Sequence, residues 1–102
     1  MTYHVRYLGN AHEVVLGGSF AAPDKGVVRE LFDIFKQNKY GDRCVLAMEG
    51  LEKLDFYGLE MLVLLSDMAQ AQGVRLIIRR PHGQVKEMLG LTGLDKIIPI
   101  ET

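Results

Sequence analysis

The run Cys44-Val45-Leu46-Ala47-Met48, preceded by Arg43, is apolar at five consecutive positions. A strand with one face in water alternates apolar and polar residues, so a run without alternation belongs to a strand covered on both faces, in the middle of a sheet. Ahead of it, Val28, Leu31, Phe32 and Phe35 recur at helical spacing, with Arg29, Glu30, Asp33, Lys36 and Gln37 opposite, which predicts a helix starting near Asp24. Asn38 to Asp42 then forms a turn cluster. A strand, a helix and a buried strand in that order imply a right-handed crossover and a parallel strand pair.

The flanking segments complete the pattern. Tyr3, Val5 and Tyr7 alternate with His4 and Arg6, Gly9-Asn10 supplies a turn, and His12 to Leu16 forms a second strand, so residues 3–16 read as a hairpin that Gly17-Gly18 ends. After Glu49 to Leu54, a second helix is expected from about Tyr57 to Gln72, burying Leu59, Leu62, Val63, Leu65, Met68 and Ala69, with Gly73 stopping it. Val74 to Arg79 is a strand, Pro81-His82-Gly83 breaks it, a short third helix runs through Leu89, and Gly90 and Gly93 bracket a turn before Leu94 to Ile100. The expectation is one α/β domain over residues 1–102, a mixed sheet of four to five strands with three to four helices in the order ββαβαβα.

Composition narrows the function. Lys and Arg number 12 against 13 Asp and Glu in 102 residues, a formal charge of −1, which disfavours nucleic acid held by bulk charge. The balance is uneven along the chain. Residues 49–67 carry Glu49, Glu52, Asp55, Glu60 and Asp67 against Lys53, whereas residues 75–87 carry Arg75, Arg79, Arg80 and Lys86 against Glu87. No apolar run approaches the roughly 20 residues that span a bilayer, and the N-terminus lacks a signal pattern, so the expected location is the cytoplasm without membrane insertion.

No set of residues converges on catalysis. His4, His12 and His82 lie on separate elements and Cys44 stands alone, so neither a metal site nor a cofactor is expected. Ser19 lacks a nucleophile-elbow pattern, Ser66 lies inside an apolar helix, and Cys44 sits in the central strand where burial raises a thiol pKa. The informative segment is Leu54-Asp55-Phe56-Tyr57-Gly58-Leu59, where Asp55 is placed to cap the second helix. Phe56 and Tyr57 are adjacent, and neighbours on a helix point about 100° apart, so burying both rings together is awkward. An exposed aromatic there is an anchor for a protein partner.

Three stretches resemble the STAS domain, the family of sulfate transporters and anti-sigma factor antagonists. They are Val45 to Asp55 followed by Gly58-Leu59, Ala71-Gln72-Gly73-Val74-Arg75-Leu76-Ile77-Ile78, and Leu91-Thr92-Gly93-Leu94-Asp95-Lys96-Ile97-Ile98-Pro99-Ile100. In antagonists of this family the residue after the Asp is a serine phosphorylated by a partner kinase. Here Asp55, Gly58 and Leu59 keep the pattern, but Phe56 occupies the serine position, so no phosphorylation is expected there and Tyr57 is the only candidate acceptor beside it. The family's last helix is also expected to be missing, since the sequence ends soon after the closing signature.

The resemblance implies a stand-alone, non-catalytic interaction module of bacterial type that docks through Ser19, Phe20, Asp24, Asp55, Phe56, Tyr57, Gly58, Glu60 and Met61. Its implied partners are a serine kinase or anti-sigma factor, with a second copy of the chain a further candidate. The alternative is a structural subunit bound to the ABC-type ATPase of a lipid transport complex. A small enzyme is the least supported reading, because no acid, base and nucleophile can be named together.

Overall fold

The computed structural model describes residues 2–9, 11–20, 25–36 and 42–102. Strands β1 (Thr2–Leu8) and β2 (Ala11–Phe20) form the expected hairpin, followed by helix α1 (Lys25–Lys36), strand β3 (Arg43–Leu54), helix α2 (Phe56–Ala71), strand β4 (Arg75–Arg79), helix α3 (Gly83–Thr92), a 3₁₀ turn at Leu94–Lys96 and the short strand β5 (Ile100–Glu101). Among the described residues the result is a five-stranded mixed sheet with three α-helices. Its strand order is β1-β2-β3-β4-β5, antiparallel between β1 and β2 and parallel elsewhere.

Side chains alternate across each strand, so Val14 and Leu16 of β2, Cys44, Leu46 and Met48 of β3 and Leu76 and Ile78 of β4 share one face. These residues form one core with Leu31 of α1, Leu59, Leu62 and Leu65 of α2 and Val85 and Leu89 of α3. The three helices therefore lie on the same face of the sheet.

The opposite face carries Arg6, Glu13, Val45, Ala47, Glu49, Ile77 and Arg79. Arg79 Nη2 donates to Glu13 Oε2 at 2.6 Å, although β3 separates their strands. The bond must therefore pass over β3, where Val45 is the register partner of Glu13 and Ala47 that of Arg79. The small Ala47 leaves room for it and is itself fully buried. Arg6 and Glu49 extend the ion pairs at 3.5 and 3.6 Å. Glu13 and Glu49 also hold the Arg79 guanidinium pKa above its ordinary value, the hydrogen bond to Glu13 contributing most. Charged side chains thus cover the apolar middle of a face on which no helix packs among the described residues.

Several boundaries differ from the sequence pattern. The Gly17-Gly18 pair does not end β2, which continues to Phe20 beside β3 through two register shifts. Glycines relax a ladder into bulges as readily as they terminate it. At the first shift Gly17 pairs with Gly50, and a Cβ on Gly50 would stand 3.1 Å from the Leu16 carbonyl. For the same reason Glu49 to Leu54 belongs to β3. The second helix starts at Phe56 and ends at Ala71, and α3 carries on through Gly90 to Thr92 before Gly93 turns the chain at φ 75°. Val63, expected in the core, faces outward.

Candidate functional site

Where β3 gives way to α2, Asp55 adopts an extended backbone and its Oδ1 accepts a hydrogen bond from the Gly58 amide at 2.9 Å. That satisfies one of the donors a helix start leaves open, and the carboxylate suits the positive end of the helix dipole. The Asp55 amide donates to the Phe20 carbonyl at 3.3 Å, tying the end of β2 to the start of α2. Gly58 lies directly over this junction. A Cβ there would meet the Phe20 carbonyl oxygen and Leu54 Cδ1, each at 2.6 Å, so only glycine lets the first turn of α2 approach so closely.

This junction sorts the expected contact residues. Asp55 and Glu60 are exposed, and Phe56 is 75% exposed. Tyr57 and Met61, one helical turn apart, are half-buried and pack partly against the core. Gly58 is buried and contributes through its backbone. Ser19 is exposed at the end of β2. Phe20 corrects the expectation: its ring is fully buried in the core, because the extension of β2 turns it inward, and only its carbonyl joins the junction. Asp24 lies outside the described residues.

An apolar surface continues from Phe56. Phe56, Leu59, Glu60 and Val63 of α2, Thr92 at the end of α3, and Leu94 and Ile97 around the 3₁₀ turn line a groove of about 260 Å³. Ile97 is 63% exposed, and Leu64 and Leu91 are exposed nearby in the sequence of the same elements. One signal for this surface was available beforehand. The run Met61 to Leu65 has five apolar residues, and at about 100° per residue they spread around the whole helix, so some must face outward. Nothing local marked Ile97, which the chain brings to α2 from about 40 residues away.

The acidic edge is reorganised. Glu49 turns to the helix-free face and pairs with Arg79. Along α2 the outward acids are Glu60 and Asp67, and neither makes an ion pair among the described residues. No group of His, Cys, Asp and Glu side chains there is arranged to hold a metal. His82 instead donates from Nε2 to the Glu49 carbonyl at 2.8 Å. Cys44 is buried and its thiol pKa is pushed up to about 12 by desolvation. No described helix is long and apolar enough to cross a membrane.

The family model of the STAS domain matches residues 20–102. No curated protein matches the sequence. The fold is similar to that of a putative anti-sigma factor antagonist from Thermotoga maritima, with a TM-score of 0.84, 20% identity, and 98% of this chain and 86% of that one covered. It is also similar to the anti-sigma factor antagonist SpoIIAA in its unphosphorylated form, at TM-score 0.80 and 14% identity over 99% of this chain and 89% of that one. An anti-sigma factor antagonist from Mycobacterium paratuberculosis aligns at 0.79 and 20% identity over 98% and 84%.

Proposed function

The chain belongs to the STAS domain family, and from that premise we propose that it is a non-catalytic regulatory module that docks on a protein partner through the start of α2 without a serine switch. The observation that carries this reading is Phe56, three-quarters exposed at a helix start whose cap is already made by Asp55. A phosphate there would add nearly two negative charges beside the helix dipole, enough to drive docking either way. A phenyl ring has no oxygen to accept one. The same position becomes a permanent apolar anchor for a serine kinase or anti-sigma factor of the kind that anti-sigma antagonists meet.

The test is capture of partners from the native cell by the wild-type chain and by Phe56→Asp. A kinase-like protein held by the wild type and lost with Phe56→Asp supports the reading, and equal capture by both overturns the assignment of the loop. Incubation of the complex with ATP should leave residues 55–59 unmodified, Tyr57 included. In Phe56→Ser the serine should become phosphorylated and the partner released. The permanence of the anchor also favours a second reading, a structural subunit clamped on an ABC-type ATPase. Recovery of that ATPase in place of a kinase would decide for it.

A further inference from the structure

We propose that the groove between α2 and the 3₁₀ turn receives an amphipathic helix of the partner, apolar on the face that enters the groove and basic where it meets Glu60 and Asp67. This rests on the reading of the α2 start as a docking surface and names what lies against it. Helices dock by laying apolar side chains at i, i+3, i+4 and i+7 into a groove walled by apolar residues. Here the anchors would meet Phe56, Val63 and Ile97, which water now reaches.

The charge pattern selects the partner. From residue 55 to residue 71, α2 and its cap carry Asp55, Glu60 and Asp67 and no Lys, Arg or His. Asp55 is engaged with the Gly58 amide, whereas Glu60 and Asp67 have no ion-pair partner among the described residues. They stand two turns apart, about 10 Å along the helix axis. On the facing turn Asp95 and Lys96 cancel. A second hollow shares Ile97 with the first and is lined by Ser66, Asp67 and Gln70 of α2 and by Arg75 at the start of β4, so a positive charge bounds the acidic stretch beyond Asp67. Phe56, Glu60, Val63 and Asp67 follow one another at i, i+4, i+7 and i+11 on one face of α2, so the two acids interleave with the apolar contacts, which is complementary to a helix with Lys or Arg at two positions, two turns apart, beside its apolar stripe.

The probe is a labelled synthetic peptide of about 14 residues, with leucines at i, i+3, i+4 and i+7 and lysines on the flanks, set against a twin with glutamates for lysines. Titrated into the full chain, the lysine peptide should bind and shift the amide resonances of Val63, Leu64, Thr92 and Ile97. Ile97→Asp and the double variant Glu60→Lys/Asp67→Lys should each weaken it at least about tenfold. The double variant should in turn take up the glutamate peptide. All the altered side chains are exposed, and an unchanged far-ultraviolet spectrum confirms that the variants fold.

Equal binding of both peptides, binding of neither, or shifts confined to other surfaces would overturn the proposal. So would a wild-type dimer in sedimentation that Ile97→Asp dissociates, because the occupant would then be a second copy. Partner capture separates this inference from the reading beneath it. Loss of the native partner with Phe56→Asp but not with Ile97→Asp or the double variant removes the groove and leaves the docking surface standing. Loss with none of the three removes both.

Discussion

At Gly58 the absence of a side chain has a measurable effect. An alanine Cβ would press on the Phe20 carbonyl, a backbone atom that cannot swing aside, as well as on Leu54 Cδ1. Gly58→Ala should therefore destabilise the chain by about 1–3 kcal/mol despite alanine's better helix propensity. Gly26→Ala in α1, where nothing lies within 4 Å of the added carbon, should be neutral or stabilising. Urea unfolding of the two variants checks the contrast. At this scale the sequence was legible only in part. The cap at Asp55 and the exposure of one ring of the pair follow from two adjacent aromatics after an acid at a helix start, and the structure shows that the exposed ring is Phe56. The inward turn of Phe20 was not legible, because it depends on the register between β2 and β3 rather than on its neighbours in sequence.

Among the elements, β3 outruns β4. Its pairing with β4 stops at Ala47, yet the strand continues to Leu54 with an edge that β4 does not reach. Helix α3 meets that edge with side chains. The Gln84 amide donates to the Leu54 carbonyl and accepts from the Leu54 amide, both at 2.8 Å, so one side chain completes both hydrogen bonds of a strand residue. Gln84→Leu should leave both groups unpaired at about 1–3 kcal/mol, with the loss visible as faster hydrogen exchange at the Leu54 amide. In the sequence, Glu49 to Leu54 reads as a connection because its buried positions, Leu51 and Leu54, do not alternate. The register shifts beside Gly17 and Gly18 account for that broken period. Helix α2 was legible as a helix, but its outward apolar stripe became a groove only when Thr92 and Ile97 arrived from other elements.

For the molecule as a whole, the covering of the central strand links stability to pH. The Cys44 thiol ionises near 9.0 in an ordinary environment and is pushed up to about 12 by burial. Between those values the unfolded chain has lost the proton and the folded chain has kept it, so this group makes stability fall as pH rises from about 9 to about 12, and contributes no slope below. Unfolding free energies of the wild type and Cys44→Ala should run parallel below pH 9 and converge above it. Parallel curves throughout would show that the thiol is not shielded. The five-stranded sheet itself also has a bearing on synthesis. Strand order in space repeats strand order in the chain, from β1 to β5. Each strand after the first thus leaves the ribosome with its neighbour already made, and the hairpin is complete before any parallel pairing is needed. A nascent chain cut short after β4 would lack only the two-residue edge strand of the sheet, so the sheet can pair in the direction in which it is translated, while the core waits for Val85 and Leu89 of α3.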